Sequence, residues 1–382
     1  MTAVTLPGGE RYRLRGGEGF APPVKPFRSR VALAAAHVVA DPLGETVPGA
    51  PSTVDWEATL EFRHHLWRYG FGVAEAMDTA QRGMGLDYPT ARELVRRAAA
   101  EARSVGGLIV AGVGTDQLPP DGVTLDDVRR AYTEQLSDVL DAGAVPVLMC
   151  SRQLAQVARH TEDYLRVYAE LIGQSTTPVV LHWLGEAFDP QLRGYWGSSN
   201  LDAASAVVLQ LIKDHADMVD GIKLSLLDAD REVGLRNQLP TKVRLYTGDD
   251  FNYPSLILGD EEGYSDALLG IFDPIAPAAA AALTALDDND LTGYAVAFGP
   301  TVPLSRHLFA APTSAYKAGI VFLAWLCGHQ DHFTMVGGLH AARSPMHLAE
   351  ALRLADAAGL LPDAELAAAR ARMYFATAGV EQ

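Results

Sequence analysis

The sequence predicts an α/β fold, a closed (β/α)8 barrel of the TIM type with a C-terminal helical extension. Short apolar runs alternate with amphipathic segments, which is the pattern of parallel βαβ units. About eight such units follow in succession, and that number favours closure into a barrel over an open doubly wound sheet. After residue 286 the alternation ends and helical segments follow one another without strands. The expected organisation is an N-terminal arm at 1–29, a barrel at 30–286 and a C-terminal helical region at 287–382 packed on it.

The arm is rich in Gly, Pro and Arg and shows no periodicity. RVALAAAHVV (30–39) is the first strand, and DWEATLEFRHHLWRY (55–69) an amphipathic helix with Thr53 or Asp55 as its N-cap. FGVAEAM (71–77) is the second strand, followed by a helix from Tyr88 with Pro89 in its first turn. GGLIVAGVG (106–114) is the third strand, and the helix after it closes at Gly143. AVPVLMC (144–150), PVVLHW (178–183), MVDGIKLSL (218–226) and KVRLYTG (242–248) are strands four to seven, with helices over 160–175 and 200–216 between them. The eighth strand falls within GYSDALLGIF (263–272).

With 382 residues, 48% of them hydrophobic, the chain can bury a sizeable core without a disulfide or metal staple. It carries 47 acidic against 31 basic residues, a net charge of −16 that repels nucleic acid and anionic lipid. Neither is expected as a partner. The two cysteines, Cys150 and Cys327, match no metal or disulfide spacing. The first twenty residues contain no apolar signal core, and no apolar stretch reaches the roughly 18 residues of a membrane span. A cytoplasmic protein is the expectation.

In such a barrel the site lies at the C-terminal ends of the strands. The residues there are His37, then Glu75, Asp78 and Thr79, then Thr115 and Asp116, Ser151 and Arg152, and His182, Trp183 and Glu186. Strands six to eight add Lys223 and Ser225, Thr247, Gly248, Asp249 and Asp250, and Ser265 or Asp266. Lys223 stands out because no other charge follows Asp220 in its apolar strand, and burying an ammonium is costly. Desolvation would leave part of it as the neutral amine that attacks a carbonyl. The local pattern leaves a second reading open, in which Lys223 snorkels from the strand end or pairs with Asp249 or Glu75. Asp249 or Asp250 would oppose the loss of its proton, so at least one is expected to face away or be held by backbone amides.

GIKLSLLD (221–228), LYTGDDFNYPSLILG (245–259), Gly263 and AGVG (111–114) together resemble the dihydrodipicolinate synthase and N-acetylneuraminate lyase superfamily, as a divergent branch of unknown function. The resemblance covers most of the barrel and the helical tail. It implies a class I lyase, aldolase or dehydratase that needs no cofactor and no metal. Its substrate would be a small carbonyl compound, a keto sugar or sugar-acid derivative, and its state a homo-oligomer, dimer or tetramer. Lys223 would be the Schiff-base lysine, His182 would stand where the family has its proton-shuttling tyrosine, and Thr79 would assist through its hydroxyl. Glu75, Asp78, Arg152, Trp183, Gly248 and Asp249 would line the substrate. The family's Gly-Thr-Thr-Gly-Glu motif is Met77-Asp78-Thr79-Ala80-Gln81 here, and an acid at Asp78 disfavours an anionic group at that spot.

Two other readings compete. Glu75, His182, Glu186 and Asp249 come from several strand ends, as the ligands of a divalent-metal sugar isomerase or epimerase do. A non-catalytic small-molecule-binding barrel is the third, given the changes at Asp78 and Ala80. The His-rich HQDHFTMVGGLH (329–340) reads as a loop near the mouth or at a subunit contact, since its spacing matches no helical metal motif. Tyr195 and Trp196 in RGYWGSSN (193–200) form a lid or anchor a long loop.

Overall fold

The computed structural model describes residues 2–382. Eight parallel strands close into a barrel: β1 (Ala32–Ala35), β2 (Gly72–Glu75), β3 (Ile109–Val113), β4 (Val145–Leu148), β5 (Val179–Leu184), β6 (Val219–Ser225), β7 (Arg244–Thr247) and β8 (Asp266–Leu269). β8 pairs with β1, so neither edge is left open. Successive residues of a strand point to opposite faces, and the packing shows which. Leu33, Ala74, Val110, Val147, Val180 and Leu268 form one compact cluster that fills the lumen. Their neighbours Ala34, Val73, Ile109, Leu148 and Leu181 belong instead to the layer shared with the helices.

Local chemistry sets the helix ends. Asp55, not Thr53, caps α1 (Trp56–Arg68), accepting from the Ala58 amide at 3.0 Å. Pro89 sits in the first turn of α2 (Tyr88–Val105), and α3 (Leu125–Ala142) starts in a Thr124/Asp127 capping box and ends at Gly143 with φ +81°. A short helix absent from the sequence reading, α4 (Arg152–Val157), precedes α5 (Thr161–Gln174), and Ser151 caps it. α6 (Leu201–Asp214), α7 (Ala229–Arg236) and α8 (Tyr253–Leu258) follow β5, β6 and β7.

The eighth barrel helix is α9 (Phe272–Asp287). Beyond it the chain is helical, as expected: α10 (Leu291–Phe298), α11 (Thr301–Leu308), α12 (Tyr316–Leu326), α13 (Pro345–Ala357) and α14 (Ala364–Thr377). Gly299 and Pro300 divide what the apolar pattern presents as one helix into α10 and α11. The arm is more ordered than its composition predicts. Ala3–Thr5 and Arg11–Arg13 pair as an antiparallel ribbon. Buried Asp356 of α13 ties the arm down, accepting from the Tyr12 hydroxyl at 2.7 Å and from the Arg15 and Gly16 amides at 3.1 Å. No helix among the described residues is long and apolar enough to cross a membrane.

Candidate active site

β5 and β6 run side by side with His182 opposite Lys223 and Leu184 opposite Ser225. The strand alternation turns His182, Lys223 and Ser225 into the lumen while Trp183 and Leu224 face the helices. Lys223 is 7% exposed. Among the described residues its amine makes no hydrogen bond and no close ion pair. Gly248 explains how the lysine stem fits. A Cβ there would stand 2.2 Å from Ser225 Oγ and 3.0 Å from Lys223 Cε, so only glycine lets β7 pass this close.

Lys223 faces a cavity of about 10 Å³ shared with Asp78, Thr79, Ser225, Asp250 and Tyr316. Thr79 Oγ1 lies 2.9 Å from the Tyr316 hydroxyl, and both groups are buried. Tyr316 comes from α12, so the helical extension supplies part of the wall. Phe309 stacks on its ring at 4.2 Å, and Phe188 meets Phe309 edge-on at 6.4 Å. Asp78 and Leu184 also line a larger cavity of about 660 Å³, bordered by His182, Thr115, Ser151, Arg152 and Asp189 among others.

The electrostatics follow from burial. Desolvation lowers the Lys223 pKa from its ordinary value, against the opposing charges of Asp78 and Asp250. Desolvation pushes the Asp250 carboxyl up to about 7, although the Ile271 amide donates to its Oδ1 at 2.9 Å and Lys223 draws it down. Burial, then the nearby Lys223 charge, keeps the His182 imidazole neutral well below its usual range. Its Nε2 is 3.2 Å from Ser225 Oγ, and its buried Nδ1 has no partner among the described residues. The arrangement therefore presents an amine with a lowered pKa, a neutral imidazole, a hydroxyl pair and a carboxyl pushed up to about 7.

The structure brings together Lys223, Thr79, Asp78 and Gly248 around the small cavity, with His182 and Arg152 on the larger one. Three expected lining residues are elsewhere. Glu75 is fully buried against the helix layer, where Arg63 of α1 holds it through two bonds of 2.8 Å. An unpaired carboxylate there would be prohibitively costly, so the strand's only acid is a structural ion pair. Trp183 packs outward on Trp196, 6.5 Å away, because its neighbour His182 faces in. Asp249 is turned to the start of α8, accepting from the Phe251 and Asn252 amides at 2.8 and 3.0 Å. This meets the expectation that one acid of the pair is held by backbone amides, and Asp250 is the one that faces Lys223.

The metal reading loses its ligand set, since Glu75 and Asp249 are committed as above and Glu186 is exposed beside Arg193. Among the described residues no group of three His, Cys, Asp or Glu is positioned to hold a metal ion. Trp196 and Tyr195 are buried and anchor their loop. Of the His-rich segment, His329 packs on His65 at 4.3 Å and on Phe62 at 5.1 Å. Burial, then the nearby His37, lowers His329 to about 4, and burial, then His329, lowers His65 to about 3, so both are neutral packing groups.

Sequence reasoning missed Tyr316, Lys317 and Phe188. Lys317, 3% exposed, is a second lysine in an apolar segment, and that signal was present in YKAGIVFLAWL. Nothing local placed α12 over the barrel mouth.

Over residues 6–380 the sequence matches the family described as "Protein of unknown function (DUF993)", and the chain belongs to it. No curated protein matches by sequence. The fold is that of solved dihydrodipicolinate synthase structures. A prophage protein of the dihydrodipicolinic acid synthase family from E. coli, solved with pyruvate, superposes with a TM-score of 0.65 at 16% identity, covering 88% of this chain and 99% of its own. The 4-hydroxy-tetrahydrodipicolinate synthase of Methylacidiphilum fumariolicum gives 0.65 at 15%, covering 88% and 98%. The dihydrodipicolinate synthase of Oceanobacillus iheyensis gives 0.63 at 14%, covering 85% and 95%.

Proposed function

We propose that this member of the DUF993 family is a Schiff-base-forming lyase, of the aldolase or dehydratase type, acting on a small keto sugar or sugar-acid-like carbonyl compound. The observation that carries the reading is Lys223, a buried lysine with no close counter-ion among the described residues, facing a cavity at the C-terminal end of a barrel. The neutral amine attacks the carbonyl carbon, a C–N bond forms, and the carbonyl oxygen takes a proton to give a carbinolamine. Loss of water leaves a protonated imine, which accepts the electron pair released when an adjacent C–C bond breaks or an adjacent proton leaves before β-elimination. His182 moves protons to and from the substrate hydroxyl, since its neutral imidazole has an unpartnered nitrogen. The Thr79 hydroxyl, backed by Tyr316, holds the carbinolamine oxygen. Asp78, Gly248 and Arg152 line the substrate's path. The likeness in fold supports a lyase, and the soluble, oligomeric, cytoplasmic character expected from the sequence belongs to the same reading.

Borohydride reduction with a carbonyl compound, followed by peptide mass analysis, tests this. A stable adduct on Lys223 that Lys223→Ala abolishes is expected. Full turnover in Lys223→Ala, or an adduct confined to another lysine, overturns it.

A further inference from the structure

Imine formation needs a proton donor beside the amine, because the carbonyl oxygen must be protonated before it can leave as water. Several groups near Lys223 are poorly suited to that task. Burial, then the Lys223 charge, holds the His182 imidazole neutral, and a neutral imidazole is a weak acid. Burial, then Asp78, raises the Tyr316 phenol well above its ordinary value. Asp78 borders the small cavity, but it is only partly buried and also borders the larger one, where water can solvate its charge.

Asp250 is placed differently. It is 4% exposed and borders the same small cavity as Lys223. The Ile271 amide donates to its Oδ1 at 2.9 Å and fixes the carboxyl, while no side chain among the described residues hydrogen-bonds to Oδ2. The Ser305 hydroxyl of α11 donates to the Asp250 backbone carbonyl, so the helical extension also holds the residue in place. The ionisable groups around it are Lys223 from β6, its neighbour Asp249, Tyr253 of α8 and Tyr316 of α12. Burial favours the acid form, the Ile271 amide and Lys223 favour the carboxylate, and Asp249 favours the acid again. The balance lies at about 7, close to the working pH at which an acid–base catalyst is most effective.

We propose that Asp250 is the acid–base catalyst of imine formation, giving its proton to the oxygen of the substrate carbonyl. This rests on the Schiff-base reading of Lys223. As the neutral amine attacks, the C–N bond forms and the Asp250 proton passes to the carbonyl oxygen. The carboxylate then takes a proton from the new ammonium nitrogen. It delivers that proton to the carbinolamine hydroxyl, the C–O bond breaks, and water leaves. The nitrogen lone pair completes the C=N bond, and the Asp250 carboxylate remains as counter-ion to the iminium.

Asp250→Asn keeps the side-chain volume and an acceptor for the Ile271 amide but has no acidic proton. Trapping at Lys223 is followed by mass analysis across the pH range, with dihydroxyacetone and pyruvate as probes and cyanoborohydride in excess. A carboxyl that served only as a charge would raise the Lys223 pKa, so its removal would leave more neutral amine and speed trapping at neutral pH. The catalytic role predicts the reverse, a rate lower by about a hundredfold. It also predicts that trapping in the unaltered protein passes through a maximum, falling as Asp250 loses its proton, and that this alkaline fall is absent in Asp250→Asn. The melting temperature confirms that the variant folds. Faster or unchanged trapping in Asp250→Asn overturns the proposal and leaves the Schiff-base chemistry standing. A rate in the unaltered protein that only rises with pH overturns it without any variant. No adduct on Lys223 in the unaltered protein removes both.

Discussion

At the scale of single residues, two acids that the sequence sets at strand ends have opposite fates. Glu75 serves the barrel wall, and Asp250 faces the amine. Glu75→Gln leaves Arg63 buried without its partner charge, and breaking a pair of this kind costs about 3–5 kcal/mol. Denaturant unfolding should report that loss, while trapping at Lys223 persists in the folded protein. Asp250→Asn acts differently. The Asp250 charge raises the Lys223 pKa, so removing it lowers that pKa further. Adduct formation needs the neutral amine and rises with pH through the lysine pKa. The acid limb of the trapping-rate profile should therefore move to lower pH in Asp250→Asn, and a shift to higher pH would show that the carboxyl serves another purpose. Lys223 and His182 were legible because polar groups inside apolar strands are conspicuous. With His182 facing inward, the period of two already sent Trp183 outward. Glu75 was harder to read, because β2 is buried on both faces and its pattern does not reveal which side an acid takes.

Elements position these residues through close approach. Gly248 lets the end of β7 lie against β6, and a methyl group there collides with Ser225 Oγ and the Leu224 carbonyl as well as the lysine stem. Gly248→Ala should cost about 1–3 kcal/mol by overpacking and slow trapping at Lys223 beyond what the stability loss explains. A thermal melt and a trapping time course on the same preparation separate the two effects. All eight strands could be found from apolar runs bounded by charge, Gly or Pro. Helix α4 escaped because six residues are too few for a periodic signal. The arm ribbon escaped because its strands are three residues long and are held by Asp356, more than 340 positions away. Tyr316 and Lys317 escaped for the same reason, since their neighbours at the mouth belong to strand ends over 200 residues earlier, as the Thr79–Tyr316 contact shows.

On the scale of the whole molecule, the helical extension completes the site. α12 brings Tyr316 to Thr79 and sets Lys317 near the barrel mouth, while α13 also secures the N-terminal arm through Asp356. The extension thus belongs to the catalytic architecture under the proposed chemistry. Its position has a consequence in time. The space at the Lys223 amine, about 10 Å³, is about the room one water needs, so even a three-carbon ketone cannot occupy it as it stands. Side chains of its wall, Tyr316 and Phe188 among them, must give way before a ketone fits, and such rearrangements commonly run on microsecond-to-millisecond scales. Where that opening precedes encounter and is slower than the attack itself, it sets a clock that ligand concentration cannot hurry. In stopped-flow experiments the apparent rate of imine formation should climb with ketone concentration and then level off, and shortening Phe188 to Ala should raise the plateau. A rate that stays linear to the highest attainable concentration would mean that the door already stands open.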